Sequence, residues 1–203
     1  MATRVAENDM RLTRPTYLVG IGGSAGGLAA YKVLFDELPP DTGMAFVVVA
    51  HLYPTANSQL AEILKLRTAM PVMVASTRLR VRANHVYVIP PDADLTIEND
   101  VFKVVSPRTR RNAQVDMFFA SMAVAMGSHA IGVVVSGYNG DGTEGCKRIK
   151  ASGGTTFAQD ASAEINLMPR HAAEAGCIDF VLPVPKIAEA LLRLARSALK
   201  EKG

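Results

Sequence analysis

Short apolar runs alternate with amphipathic segments along most of the chain. The runs at residues 17–22 and 44–50 are continuous and of strand length, which is typical of parallel strands covered on both faces. Between them, apolar residues recur at helical spacing from residue 28 to 38, and Pro39 ends that helix. This order predicts a βαβ unit at the start of the fold.

The middle of the chain has a different pattern. Residues 85–90, 95–97 and 101–105 have the composition of strands, and the polar turn at 98–100 predicts an antiparallel hairpin added to the sheet. Strands and helices then alternate again. The remaining predicted elements are helices at 60–67, 117–126, 142–152 and 168–175, strands at 72–75, 131–135, 155–158 and 178–182, and a closing helix opened by Pro185. The predicted fold class is α/β, a single doubly wound and mostly parallel sheet flanked by helices, with an antiparallel hairpin added in the middle of the chain.

Composition and charge fit this architecture and exclude several classes of protein. The chain has 203 residues, of which 49% are hydrophobic, enough for one domain with a full core. Its 22 basic and 19 acidic residues give a net charge of +3, which makes no electrostatic case for nucleic acid. No apolar run approaches the roughly 20 residues that span a bilayer, and the start lacks the apolar segment of a secretory signal. We therefore expect a cytoplasmic protein with a flexible tail at residues 1–15 and one folded domain at 16–200.

The two cysteines, Cys146 and Cys177, have no metal-binding spacing. We expect both to be buried free thiols, with neither a disulfide framework nor a metal site.

Polar side chains follow three of the predicted buried strands. Ser24 lies in the glycine-rich turn after the first strand, His51 follows the second, and Asp141 lies in the turn after the strand at 131–135. Ligands of open parallel sheets bind beyond the carboxyl ends of the strands, so these three residues are the candidates for chemistry.

The first turn matches two templates. Gly20-x-Gly22-x-x-Ala25 fits a dinucleotide fingerprint, but that site needs an acidic residue at the end of the second strand, where His51 stands. Gly22-x-Ser24-x-Gly26 fits a nucleophile elbow. A serine hydroxyl needs a base to take its proton and an acid to orient that base, and His51 and Asp141 supply both. The Ala25 N–H at the helix start is a candidate oxyanion donor.

A second hydrolase assignment would use the chain order Ser, Asp, His. It would recruit His171 in place of His51, although that fold places its elbow after several strands rather than after the first.

Six sequence segments resemble the catalytic domain of the chemotaxis protein-glutamate methylesterases. They are GIGGSAGG, VVVAHL, HVYVIPPDADL, IGVVVSGYNGDGTEG, and ASGGTTFAQD with MPRHAAEAG, in family order from about residue 17 to 194. The resemblance implies a serine esterase that hydrolyses glutamyl methyl esters on methyl-accepting chemoreceptors and releases methanol, and in that family the enzyme also deamidates certain receptor glutamines. It implies Ser24 as nucleophile, His51 as general base, Asp141 as its orienting partner, and no metal or organic cofactor.

The turn before Asp141 departs from the family pattern. Tyr138 and Asn139 stand where a smaller or more flexible residue and a glycine are usual, so a tyrosine ring could narrow the ester pocket, and Asn139 must adopt a backbone geometry that glycine accepts more easily. Ala25, Tyr138, Asn139 and Met168 are the candidate oxyanion and substrate-binding residues. The alternative function is a relative that is non-hydrolytic, or altered in substrate, and binds a signalling partner.

The resemblance also implies a controlling element. Familiar members carry an N-terminal receiver domain, and about sixteen residues before the first strand are too few for one, so we expect no receiver domain here. Three alternatives remain open: a free-standing esterase, a piece of a longer protein, or control by a separate regulatory protein.

Other polar residues have simpler interpretations. Asp160, after the strand at 155–158, is expected to cap its loop. Two groups of arginines, at positions 78, 80 and 82 and at 108, 110 and 111, could face an acidic receptor helix, with a solvated edge as the default.

Overall fold

The structure is a computed structural model that describes residues 14–51 and 59–200. Most of the predicted N-terminal tail, residues 1–13, lies outside the described residues. The nine strands of the described residues are β1 (Leu18–Gly23), β2 (Ala45–Ala50), β3 (Val72–Val74), β4 (His85–Val88), β5 (Asp94–Glu98), β6 (Val101–Val105), β7 (Ala130–Val134), β8 (Thr155–Gln159) and β9 (Phe180–Leu182). Seven of them form one parallel sheet in the order β3-β4-β2-β1-β7-β8-β9.

Helices cover both faces of the sheet, as a doubly wound fold requires. The described helices are α1 (Gly27–Asp36), α2 (Leu60–Lys65), α3 (Gln114–Met126), α4 (Thr143–Ala151), α5 (Leu167–Glu174) and α6 (Val184–Lys200). One buried cluster joins the sheet to α1, α2 and α6, and the other joins it to α3, α4, α5 and the hairpin. Alternate strand residues supply the two clusters, Val19 and Ile21 facing one and Leu18 the other. The predicted fold class is confirmed.

The middle strands differ in one respect from the sequence prediction. Strand β4 pairs in parallel with β2 and β3 inside the main sheet, while β5 and β6 form a separate two-stranded antiparallel sheet. Val86, Tyr87 and Val88 are buried, and Val86 belongs to one cluster while Tyr87 belongs to the other. Burial on both faces favours the parallel sheet over the half-exposed hairpin.

Strand order changes direction at β1, since β2 lies on one side of it and β7 on the other. Such a switch point opens a crevice at the carboxyl ends of the strands. Helix α3 approaches this crevice closely, because Gly22 in β1 has no side chain and a Cβ there would collide with Val115. The N-terminus of α3 is therefore held beside the loop that follows β7.

Two further expectations concern the thiols and the membrane. Cys146 and Cys177 are buried free thiols, as predicted. Within residues 14–51 and 59–200, no helix combines the length and the apolar character needed to cross a bilayer.

Candidate active site

Ser24 and His51 are brought together by the pairing of β1 with β2. Gly23 is opposite Ala50 in the ladder, and the His51 backbone N–H donates to the Gly23 carbonyl oxygen at 3.2 Å. Ser24 and His51 therefore follow paired strand ends. Both line a cavity of about 250 Å³ whose other walls are largely apolar side chains of α1 and α2. No hydrogen bond joins the two side chains in the part of the chain that the structure describes.

The loop after β7 closes the other side of Ser24. The Ser24 N–H donates to the Ser136 carbonyl oxygen at 2.9 Å, and the buried Ser136 hydroxyl donates to the Ala25 carbonyl oxygen at 2.8 Å. Ser136 Oγ also accepts the Ile165 N–H at 2.9 Å. One buried hydroxyl thus ties the serine turn to the segment after β8. A polar residue directly after a buried strand is a signal that could have pointed to Ser136, which the sequence analysis did not select.

Asp141 is bonded to His51 and to the start of α3. His51 Nε2 lies 2.6 Å from Asp141 Oδ2, with 8% and 0% of the two side chains exposed. Asp141 also accepts the Val115 N–H at 3.1 Å and the Asp116 N–H at 2.9 Å. The carboxylate therefore occupies the N-terminus of a helix, where free N–H groups and the helix dipole favour negative charge. The second ring nitrogen, His51 Nδ1, is buried and has no hydrogen-bond partner among the described residues.

Asp116 is a second carboxyl group at this centre, and the sequence analysis missed it. Its Oδ1 accepts the Gly142 N–H at 2.9 Å and the Gly145 N–H at 2.7 Å, so Asp116 caps α4 while Asp141 caps α3. Burial, together with the neighbouring Asp141 charge, raises the pKa of Asp116 to about 6. An acidic residue in the first turn of a predicted helix is the signal that could have found it, but the predicted helix began at Met117.

The other candidate residues have distinct surroundings. Asn139 adopts a φ of 67°, the left-handed geometry expected of it, and its side-chain oxygen accepts the Asp141 N–H at 2.9 Å. Tyr138 is 54% exposed, so its ring extends mainly into solvent. Met168 is fully buried, and its backbone N–H donates to the Gly137 carbonyl oxygen at 2.9 Å. Ala25 is exposed at the turn beside Ser24.

The structure also shows the surroundings of His171 and Asp160, for which the sequence offered alternative interpretations. His171 borders Gly140, but the histidine bonded to Asp141 is His51, which disfavours the second hydrolase assignment. Asp160 accepts the Ser162 N–H at 3.0 Å, so its predicted loop-capping role is confirmed. Within the described residues, no group of three or more His, Cys, Asp or Glu side chains is arranged to hold a metal ion.

Comparisons with known proteins show which family the chain resembles. Residues 19–191 match the family model described as CheB methylesterase. A putative protein-glutamate methylesterase/protein-glutamine glutaminase of Leptospira interrogans is 36% identical over 186 residues, which cover 90% of this chain and 96% of that protein. The protein-glutamate methylesterase/protein-glutamine glutaminase of Geobacillus kaustophilus is 31% identical over 185 residues, and there the match spans 53% of the relative's length.

A solved structure has the same fold. The crystal structure of the Thermotoga maritima CheB methylesterase catalytic domain superposes with a TM-score of 0.80 at 30% identity, covering 88% of this chain and 98% of that one. The family expected from the sequence segments is thus confirmed, and the chain belongs to the CheB methylesterase family.

Proposed function

We propose that this chain is a serine esterase that hydrolyses methyl esters of glutamate side chains in proteins and deamidates protein glutamines. The observation that carries the proposal is the His51–Asp141 hydrogen bond of 2.6 Å beside a cavity that Ser24 also lines. Membership of the CheB methylesterase family, whose relatives are named for both reactions, supports this choice of substrate.

In the proposed mechanism, Ser24 Oγ attacks the ester carbonyl carbon and His51 takes its proton. The Nε2–H group of His51 donates to Asp141, which leaves the lone pair on Nδ1 as the base. Asp141 keeps the ring in that tautomer and stabilises the imidazolium. The carbon–oxygen bond of the ester then breaks, methanol leaves with the proton from His51, and the glutamyl group remains on Ser24. Water, deprotonated by His51, attacks this acyl-enzyme and releases glutamate.

Backbone N–H groups are the proposed oxyanion donors. Among the described residues, the N–H groups of Ala25 and Tyr138 have no hydrogen-bond partner. Ala25 directly follows Ser24, and Tyr138 directly follows Gly137, where an added Cβ would meet Ser24. Donors fixed by the backbone stabilise a developing oxyanion without reorganisation. Asn139 is proposed to hold this loop in shape through its bond to the Asp141 N–H, and Met168 to support it through the bond of its N–H to the Gly137 carbonyl oxygen.

The partners and extent of the protein belong to the same proposal. We propose methylated chemoreceptors as the protein substrate, a separate regulatory protein as a possible controlling partner, a cytoplasmic location, and residues 16–200 as the catalytic domain. No metal or organic cofactor enters the proposed mechanism.

The test is release of methanol from a peptide containing a glutamate γ-methyl ester. Ser24→Ala is expected to lower the rate by at least about a thousandfold, whereas Ser162→Ala, a serine in the exposed loop after β8, is expected to retain it. A serine-directed phosphonate should label the unaltered chain at Ser24. Unchanged methanol release by Ser24→Ala would refute the assignment.

Deamidation needs a separate readout. A peptide with glutamine at the same position should release ammonia through the same acyl-enzyme. The mass of the peptide after the reaction shows whether the glutamine has become glutamate. A chain that binds receptor peptide but releases neither methanol nor ammonia would instead be a non-hydrolytic relative.

A further inference from the structure

A basic loop lies at the edge of the sheet that carries the candidate active site. We call residues 108–111 the arginine loop. The backbone N–H of Arg108 donates to the Asp92 carbonyl oxygen at 2.9 Å, and Asp92 follows the carboxyl end of β4. Strand β4 runs parallel to β2, whose carboxyl end leads into His51. The arginine loop and His51 are therefore on the same edge of the sheet.

The loop is also close to Asp141 along the chain. Arg111 is four residues before Val115, whose N–H donates to Asp141. Four residues span at most about 14 Å of extended chain, so a protein segment bound at Ser24 can reach the arginine side chains.

A buried carboxylate fixes the shape of the loop. Asp94 is 2% exposed, and its side chain accepts the backbone N–H and the hydroxyl of Thr109, both at 2.7 Å. It also accepts the Gln114 amide at 3.1 Å, and the same amide group donates to the Arg110 carbonyl oxygen at 2.5 Å. Burial alone opposes ionisation of Asp94, but these hydrogen bonds outweigh it and hold its pKa below the usual value. The backbone of Arg110 is consequently held in place while its side chain stays in solvent.

Two of the three arginines of the loop, Arg110 and Arg111, have no ion-pair partner within the described residues. Both are exposed, whereas Arg108 Nε lies 3.5 Å from Asp92 Oδ1. The opposite side of the site carries both signs, because Glu164 lies beside Gly26 and Arg170 is paired with Glu174 at 3.5 Å. Three arginines against Asp92 and Asp94 leave one positive charge in excess on the arginine-loop side, and Arg110 and Arg111 present their charge at the exposed surface.

We propose that Arg110 and Arg111 form a docking surface for an acidic polypeptide segment, the region of the protein substrate that flanks the modified glutamate. This inference rests on the proposed function, because each ester or amide that is hydrolysed leaves a new carboxylate on the substrate. A segment with several such positions is therefore acidic, and its charge complements that of the loop. Charge complementarity of this kind raises the association rate and fixes the partner's register.

The experiment measures binding separately from hydrolysis. The Ser24→Ala variant is titrated into two fluorescent peptides, each of which carries one glutamate γ-methyl ester. The acidic peptide has glutamates on both sides of the ester, and the alanine peptide has alanines at those positions. In the Ser24→Ala background, Arg110→Glu with Arg111→Glu should weaken binding of the acidic peptide about tenfold and of the alanine peptide less than about twofold. The loss on the acidic peptide should shrink at high salt.

A matched control is available on α4. Arg148 is exposed in the last turn of that helix, whose first turn lies at the site, so Arg148 is at the far end. Arg148→Glu makes a charge change of the same kind and should leave both affinities unchanged. Equal melting temperatures of all variants would exclude unfolding as the cause of a loss.

Three outcomes would overturn the proposal. They are acidic-peptide binding that survives the double reversal, equal losses on the two peptides, and displacement of the acidic peptide by a single-stranded oligonucleotide of equal charge. Failure of the proposed function has a different signature, since the chain with Ser24 intact would then release no methanol from either peptide, whatever the binding result.

Discussion

His51 Nε2 and Asp141 Oδ2 are 2.6 Å apart, and the same carboxylate accepts two N–H groups at the start of α3. Each of the two carboxyl oxygens therefore accepts a backbone N–H, and Oδ2 also bonds the imidazole, so the arrangement needs two acceptor oxygens. An asparagine in place of Asp141 would offer only one acceptor oxygen, and its NH₂ group would face one of these donors.

Asp141→Asn should impair both chemistry and stability. We expect kcat for methyl ester hydrolysis to fall about 10⁴-fold, because the imidazole loses its preferred tautomer, and the free energy of unfolding to fall by about 1–3 kcal/mol. Kinetics and urea unfolding measure the two effects. Asp160→Asn, in an exposed loop, is the control and should change neither. A kcat equal to that of the unaltered chain would contradict the role given to Asp141.

The raised pKa of Asp116 predicts a pH-dependent stability. Its folded pKa of about 6 exceeds the ordinary value of 3.8, so protonation favours the folded state, and this contribution is lost as the pH rises from about 3.8 to 6. Asp116→Asn removes the titration. The free energy of unfolding of the variant, relative to that of the unaltered chain, should therefore rise by roughly 1–2 kcal/mol between pH 4 and pH 7. This energy is reduced to allow for partial solvent screening of Asp116. Urea unfolding at both pH values measures the gain, and Asp41→Asn, at an exposed position, is the matched control. A gain that shrinks with rising pH would exclude this explanation.

The left-handed backbone of Asn139 can be separated from its side-chain hydrogen bond. Asn139→Gly loses only the bond to the Asp141 N–H, whereas Asn139→Ala loses that bond and also strains the backbone at a φ of 67°. We expect the alanine variant to be less stable than the glycine variant by about 1–2 kcal/mol in urea unfolding. Equal stabilities would mean that the loop relaxes to another conformation.

The close approach of α3 to β1 gives a prediction about packing. Gly22→Ala should destabilise the protein by about 1–3 kcal/mol, because the added methyl group meets Val115. Val115→Ala in the same chain should relieve part of that cost. A double-mutant cycle on unfolding free energies measures the coupling, and strictly additive losses would show that the two positions do not collide.

Much of the fold could be predicted from apolar runs alone. Strands β1, β2 and β7 lack polar side chains over their whole length, so both their existence and their central position followed from the sequence. Ser24, His51 and Asp141 stood out because each follows one of these strands. Strand β4 was harder to place, since a pattern along four residues does not say whether the partner strand is β2 or the hairpin.

Contacts between distant segments could not be predicted in this way. Asp116 gains its importance because Gly22 admits α3 beside the β7 loop, 25 residues further along the chain. Asp94 shapes the arginine loop through Thr109 and Gln114, from a strand that looked like one half of a simple hairpin. In both cases a carboxylate satisfies backbone or amide groups that become neighbours only after folding.

The anchoring of α3 by Asp141 affects how sequences of this family should be interpreted. A descendant that lost hydrolysis could replace Ser24 or His51 with little damage to its architecture, yet selection for a folded chain would still preserve Asp141. Under the proposed mechanism, retention of that aspartate is thus a poor marker of an active esterase, and Ser24 and His51 are the positions expected to distinguish enzymes from inactive homologues.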